Sequence, residues 1–282
     1  MNEQKTNSGQ DLEDSSRFNL LKKLIKENTN FNCEQYKEAH FRRRLNVRLR
    51  ATGSECYADY LRQLKDNPSE YENLKKTLTI NVSEFFRNPE TFEIIEKEVL
   101  PSLIKSKSDL SVKSIRIWSA GCAAGEEVYS LAILLHKVLG KDFKSYRINI
   151  LGTDIDDSTL EKARKGIYNE DALKNIDPYV KKFYFTKKGE MYQIIDQLKD
   201  ITYFKHHDMI SGPSMSRFDL IICRNVIIYF KREIQEQLQV SFYEALNKGG
   251  FLIIGKAETV LGTAASYFKA YNSRERIYVK NN

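Results

Sequence analysis

No apolar run in the 282 residues approaches the roughly 20 residues that a membrane-spanning helix needs. Residues 1–16 are polar and acidic and lack the apolar core of a signal peptide. A cytoplasmic location is therefore the expectation. Cysteine is sparse: Cys33, Cys56, Cys122 and Cys223, with no Cys-x-x-Cys pair. The four histidines show no zinc spacing. His206 and His207 are adjacent, and on a strand they would point to opposite faces. Reduced thiols and no metal are the expectation. The Gly-x-Gly-x-x-Gly motif of pyrophosphate binders is missing, and no His or Cys stands out as a catalytic base or nucleophile.

What is present is a globular composition, 41% hydrophobic and 29% charged, in a chain long enough for one large α/β domain and a smaller one. The net charge is +7, and much of it is local. Residues 36–50 hold Lys37, Arg42, Arg43, Arg44, Arg48 and Arg50 against the single acid Glu38. Such a patch is either a solvated helix face or a docking surface for an acidic macromolecule.

The chain is organised around residues 115–130. An apolar strand runs into Gly121-Cys122-Ala123-Ala124-Gly125, and a helix follows with Val128, Leu131, Ala132 and Leu135 on its apolar face. Strand, small-residue turn and helix N-terminus make the nucleotide corner of a doubly wound sheet. Glu126 and Glu127 in the first helical turn suit the helix dipole but would repel a docked phosphate. The corner therefore leans toward a cationic ligand. S-adenosylmethionine, with a sulfonium and an ammonium, fits better than a dinucleotide.

In chain order, residues 1–15 read as a disordered tail and residues 16–85 as a small helical domain. Its apolar stripes are Phe18/Leu21/Ile25, Phe41/Leu45/Leu49, Tyr57/Leu61/Leu64 and Tyr71/Leu74/Leu78, with Gly53 as a helix terminator. The second of these helices is expected over residues 34–51. Asn88 and Pro89 are expected to cap and start a helix that reaches about residue 103. Residues 86–282 form the α/β domain. Residues 146–153 are its second strand, and Asp154 at its end has the position of a ribose-binding acid. Asp156 or Asp157 caps the helix that follows. An inserted β-subdomain is expected over about 170–200, as a hairpin of 181–186 and 191–195 around the turn 187–190. Asp208, after the third strand, stands near an adenine position. Residues 218–223 are a buried strand leading to Asn225, and 267–271 with 275–279 close the sheet as an antiparallel pair.

Four motifs then resemble one family over nearly the whole chain. They are Thr79-Ile80-Asn81-Val82-Ser83-Glu84-Phe85-Phe86-Arg87; Trp118-Ser119-Ala120-Gly121-Cys122-Ala123-Ala124-Gly125-Glu126-Glu127-Val128-Tyr129-Ser130; Thr153-Asp154-Ile155-Asp156; and Cys223-Arg224-Asn225-Val226-Ile227-Ile228-Tyr229-Phe230. The chain resembles the chemotaxis receptor methyltransferases, the CheR family. The resemblance implies a Rossmann-like S-adenosylmethionine-dependent methyltransferase sheet with an N-terminal all-helical domain and a small inserted antiparallel β-subdomain. It implies methyl transfer from S-adenosylmethionine to glutamate side chains of chemoreceptor helices, leaving S-adenosylhomocysteine. Matched by motif, the cofactor residues are Asn81, Ser83, Arg87, Gly121, Glu127, Asp154, Asp208, Met209, Asn225 and Val226. The family often has Asn where Asp208 stands, and a proline where Val128 stands.

The resemblance also gives Arg42, Arg43, Arg44, Arg48 and Arg50 a receptor-facing role, with the enzyme at the membrane only through its receptor. In some members the β-subdomain grips a tethering peptide through a longer, glycine-rich turn. Lys187-Lys188-Gly189-Glu190 is short, so no tether is expected. A glutamate is already a carboxylate at neutral pH, so no general base is required. Arg87 and Tyr229 are the expected catalytic residues, lining the methyl end and orienting the substrate carboxylate. Two other readings compete: a nucleic-acid methyltransferase and a non-catalytic S-adenosylmethionine sensor. The Asn/Asp-Pro-Pro-aromatic turn of many base-methylating enzymes is absent after residue 223.

Overall fold

A computed structural model describes residues 4–79 and 81–281. The chain divides into two compact units: Met1–Ile80 with Tyr229–Lys231, and Asn81–Ile228 with Arg232–Asn282.

The first unit is helical: α1 Gln4–Thr29, a 3-10 turn Cys33–Gln35, α2 Glu38–Thr52, α3 Tyr57–Asp66 and α4 Glu70–Leu78. Phe18, Leu21, Ile25, Phe41, Leu45, Leu49, Tyr57, Tyr60, Leu64, Leu74 and Leu78 form its buried core. That matches the stripes read from the sequence, and each large apolar side chain fully buried this way stabilises the fold by roughly 1.5–3 kcal/mol. Gly53 ends α2 at φ +69°, a conformation that costs a residue without Cβ little. Two boundaries differ from expectation. Disorder over residues 1–15 does not hold from Gln4 onward, because α1 already starts there. No proline interrupts that polar stretch, so the helix set by Phe18, Leu21 and Ile25 extends upstream. Residues 1–3 lie outside the described residues. Helix α2 begins at Glu38 rather than near residue 34, because Tyr36 and Lys37 are extended.

The second unit opens with residues 81–88 and a continuous helical rod. The rod runs through α5 Pro89–Ile94, a π turn Ile95–Val99 and α6 Leu100–Lys107. The π turn precedes Pro101, whose ring would otherwise meet the carbonyl four residues back. Then come β1 Ser114–Ala120, α7 Glu126–Leu139, β2 Arg147–Asp154, α8 Asp157–Lys165 and β3 Ile167–Tyr168. They are followed by α9 Pro178–Tyr184, β4 Phe185–Lys188, β5 Met191–Ile194, α10 Asp196–Lys199 and β6 Thr202–His206. The chain ends with β7 Phe218–Cys223, α11 Arg232–Ala245, β8 Leu246–Ile254, α12 Ala264–Tyr267, β9 Phe268–Asn272 and β10 Ile277–Lys280.

The main sheet has the order β6-β2-β1-β7-β8-β10-β9. The first five strands are mutually parallel, and β10 is antiparallel to both neighbours, as expected for the closing pair. Every residue of β7 is buried, as a parallel strand covered on both faces requires. Strand order reverses on either side of β1, so a crevice opens at the carboxyl ends of β1 and β7.

The inserted sheet is three-stranded, β3-β5-β4. Two details of the expected hairpin change. Residues 181–184 belong to α9, not a strand, because Asp177 caps that helix with Pro178 at its first position. The turn is the two residues Gly189-Glu190, since Lys188 pairs with Met191. Residues 81–85 belong to the second unit rather than the first. Phe85 is fully buried there, edge-on to Tyr168 and Phe185 at 4.8 and 5.3 Å.

Candidate active site

The loop from β1 to α7 carries three residues in the left-handed region: Gly121 at φ +79°, Ala123 at +47° and Gly125 at +90°. Main-chain bonds hold it: Gly121 and Cys122 N–H donate to the Thr153 carbonyl at 2.8 and 2.9 Å. The Asp154 carboxylate completes the turn. It accepts from Ala123 N–H at 2.9 Å and from Asp156 N–H at 3.0 Å. Burial pushes its pKa up and these N–H bonds pull it down. Asp154 thus ties the ends of β1 and β2 together, and its oxygens retain lone pairs for a ligand.

Asp156 is the residue that caps α8, accepting from Ser158 N–H at 2.9 Å. Its second oxygen accepts from Asn81 Nδ2 at 2.7 Å. The segment before the helical rod is thereby fixed to the end of β2. Burial also raises the pKa of Glu126, while the Ser83 hydroxyl draws it back. Phe86 N–H donates to Ser130 Oγ at 3.0 Å, and Arg87 donates to the Val82 carbonyl at 3.1 Å. The segment of Asn81, Ser83 and Arg87 is therefore tied both to the end of β2, through Asp156, and to the first turns of α7, through Glu126 and Ser130.

Glu127 sits in a buried polar network. Ser119 Oγ donates to it at 2.8 Å, and the Arg224 guanidinium approaches it at 3.5 Å. Burial pushes the Glu127 carboxyl above its ordinary range, against the pull of Arg224. Arg224 also donates to the Arg87 carbonyl at 2.8 Å and to the Asn88 side chain. Asn88 was expected to cap α5. It makes no capping bond, its φ is +60°, and its side chain serves Arg224 instead.

The turn after β7 is held from the loop after β8. Glu258, 4% exposed, accepts from the main-chain N–H groups of Asn225, Val226 and Ile228 at 3.3, 3.1 and 3.2 Å, and from that of Gly255. Asn225 has φ +61°. Val226 lies over Gly121 so closely that a Cβ there would come within 2.6 Å of its Cγ2. Gly121 and the Asn225–Val226 pair, far apart in sequence, thus form one surface. Gly152 allows a similar approach, with Val128 at 2.8 Å from its would-be Cβ. Valine fits that position without a clash.

Asp208 and Met209 follow β6. The Asp208 carboxylate is committed locally, accepting from Ile210 N–H at 2.9 Å and from the Ser211 hydroxyl. His207 is buried and its main-chain N–H donates to the Asp154 carbonyl at 3.0 Å, whereas His206 is exposed and its ring Nδ1 pairs with Asp157 at 3.1 Å. No group of three or more metal-binding side chains occurs among the described residues. Cys122 and Cys223 are buried at the crevice, and burial raises both thiols well above their ordinary pKa. Cys56 is exposed. Iodoacetamide is therefore expected to label Cys56 in the native protein. Peptide mapping that finds Cys122 or Cys223 labelled at a comparable rate would refute this inertness.

In the helical unit, Tyr229 stacks on His40 with ring centroids 4.3 Å apart, and its carbonyl accepts from Lys37 N–H at 2.9 Å. Burial, with Arg43 and Arg44 nearby, lowers the His40 pKa to about 4, so the ring is neutral. The arginines of α2 divide. Arg48 pairs bidentately with buried Glu70, both bonds at 2.8 Å, and is structural. Arg42 lies over the Phe18 ring at 3.7 Å and bonds Glu38 and Tyr57. Arg44 is partly buried, whereas Arg43 and Arg50 are exposed. Arg42, Arg43 and Arg50, with Asn46 and Val47, border a groove of about 410 Å³.

Sequence reading missed Glu258, Asn88 and the function of Arg224. Glu258 carries no local signature, and Arg224 and Asn88 meet only through the fold.

Residues 81–277 match the family described as CheR methyltransferase, SAM binding domain, and residues 16–79 match CheR methyltransferase, all-alpha domain. A chemotaxis protein methyltransferase of Listeria innocua is 32% identical, over 86% of this chain and 89% of its own length. One from Borreliella burgdorferi is 32% identical over 86% of this chain and 87% of its own. Chemotaxis protein methyltransferase 2 of Vibrio cholerae is 30% identical over 77% and 76%.

The crevice fits the S-adenosylmethionine that the matched domain binds. That ligand is rich in donors: an ammonium, two ribose hydroxyls and an adenine amine. The crevice offers acceptors from Asp154, Glu127 and Asn225, and Asn225 Oδ1 is buried without a hydrogen-bond partner among the described residues. With the fold, the acceptor-lined crevice and matches spanning both units in agreement, the chain belongs to the CheR methyltransferase family.

Proposed function

We propose that this methyltransferase esterifies glutamate side chains on the cytoplasmic helices of chemoreceptors. The observation that carries the reading is the character of the crevice. It offers carboxylate and amide acceptors to a cation and, among the described residues, no activated nucleophile or base. A glutamate acceptor needs neither, since it is ionised at neutral pH. The names of the relatives agree.

S-adenosylmethionine supplies an electrophilic methyl on a sulfonium. The residues of the chain do the rest. Asp154, Glu127 and Asn225 hold the donor, with Gly121 and Val226 forming the apolar wall between them. Asn81 and Ser83 bring the segment of Arg87 to the same site. Asp208 and Met209 border the adenine end, where Asp208 has spare lone pairs beyond its two local bonds. Arg87 orients the incoming carboxylate, and positive and negative charge cancel as the ester forms. Exclusion of water and alignment are then the main sources of rate.

Receptor helices rich in glutamate suit the exposed Arg43 and Arg50 of α2, with Arg42 and Arg44 at the edge of that face. The enzyme works in the cytoplasm and reaches the membrane only through its receptor. The two-residue turn Gly189-Glu190 supports an enzyme that takes no receptor tail as a tether.

The test is incubation with labelled S-adenosylmethionine and receptor-bearing membranes. Base-labile methyl ester on receptor-sized protein is expected. Label in nucleic acid, or no label, sinks the proposal. Double reversal of charge, Arg43→Glu with Arg50→Glu, is expected to raise the KM for receptor on the order of tenfold and leave kcat unchanged. The effect shrinks at high salt. An unchanged KM would remove α2 from the docking surface.

A further inference from the structure

Glu258 lies outside every motif that marks the cofactor site, in the loop after β8. Yet its carboxylate collects four main-chain N–H groups, three from the turn after β7 and one from Gly255. Burying a carboxylate costs stability unless its lone pairs are well used. Here they are spent on a turn that is strained on its own, since Asn225 is a left-handed non-glycine residue. The loop is built for the purpose. Glu258 N–H returns to the Gly255 carbonyl at 2.8 Å. A Cβ on Gly255 would come within 2.8 Å of Glu258 Oε2 and 2.9 Å of Asn225 N. Buried Gln239 pins the rest of the loop, donating to the Thr259 carbonyl and accepting from Leu261 N–H at 2.8 and 2.7 Å. The turn so held presents two things at the crevice: the Val226 methyls over Gly121, and the unpartnered Asn225 Oδ1.

The geometry points to Glu258 as a positioning residue for the methyl donor: it holds the Asn225–Val226 turn in its binding conformation and touches no substrate itself. The inference rests on placing the donor against that turn. In Glu258→Gln the amide carbonyl serves one pair of N–H groups and its NH2 faces the other, so at least two bonds are lost. Gly255→Ala disturbs the same contact from the backbone side.

The experiment is calorimetric titration of the full chain with S-adenosylhomocysteine, with steady-state kinetics in S-adenosylmethionine. Both variants are expected to raise the Kd and the KM for donor on the order of tenfold. The KM for receptor stays unchanged. Wild-type Kd in Glu258→Gln, with only a lowered Tm, overturns the inference. Should Glu258→Gln fail to fold, Gly255→Ala decides, and wild-type affinity there overturns it. Asn225→Ala serves as reference: loss of affinity there, with none in the other two, fails this inference alone. Normal affinity in Asn225→Ala shows instead that the donor lies elsewhere. None of these titrations involves a receptor, so they stand apart from the identity of the methyl acceptor.

Discussion

Arg224→Met is expected to lower the free energy of unfolding by about 3 kcal/mol at pH 7, the penalty typical of stripping a buried charge of its partner. The arginine side chain is 2% exposed and the Glu127 side chain 15%. Removing the guanidinium leaves Glu127 with the Ser119 hydrogen bond and the Arg87 charge, and strands the Arg87 carbonyl and the Asn88 side chain as well. The loss has a pH signature. Burial already holds the Glu127 pKa above its ordinary value, and Arg224 is the main opposing pull. Without Arg224 the folded-state pKa rises further. A carboxyl whose folded pKa lies above its unfolded one binds more protons when folded, so its contribution is favourable at low pH and is lost as pH rises through that window. The gap between wild type and variant is therefore expected to widen from pH 5 to pH 8. Urea unfolding across that range reads it. Adding Glu127→Gln to the variant should recover much of the loss, because the neutral amide needs no counter-charge. A gap independent of pH, or no recovery, would show that the arginine acts by packing alone.

The sequence made the frame legible because its signals are local. Period-3.6 stripes such as Phe41/Leu45/Leu49 and the apolar run of β7 are set by burial of one face or both, and the structure follows them. The strand-turn-helix corner at Gly121 is equally local. What escaped is what only the fold brings together. Nothing near Asn88 tells that its side chain is taken by Arg224, 136 residues away. Nothing near Glu258 tells that it closes the turn at Asn225, 33 residues upstream. The misread strand at 181–184 has a different cause. Lys181-Lys182-Phe183-Tyr184 carries aromatic residues at strand-like density, but the Asp177-Pro178 start outweighs that propensity. On the basic face of α2, charge alone does not reveal that Arg48 is bound to Glu70 inside the unit.

Arg87→Ala is expected to lower kcat/KM for receptor by about two orders of magnitude, the cost of losing a charge-assisted contact to the substrate carboxylate. The division between KM and kcat is informative. A carboxylate is fully charged before the methyl moves and partly neutralised in the transition state. A guanidinium therefore binds the ground state at least as strongly as the transition state, and any benefit to kcat must come from orientation. Most of the loss should appear in the KM for receptor, with a smaller fall in kcat. Lysine should restore the charge but not the planar fork, so Arg87→Lys is expected to recover KM partly and kcat little. The affinity for S-adenosylhomocysteine separates this role from donor binding, for which the same segment is proposed to supply Asn81 and Ser83. A modest rise in that Kd is compatible with an arginine that faces the substrate. A rise as large as the loss in kcat/KM would place Arg87 on the donor instead. Near-normal turnover in Arg87→Ala would remove the residue from the methyl end of the site.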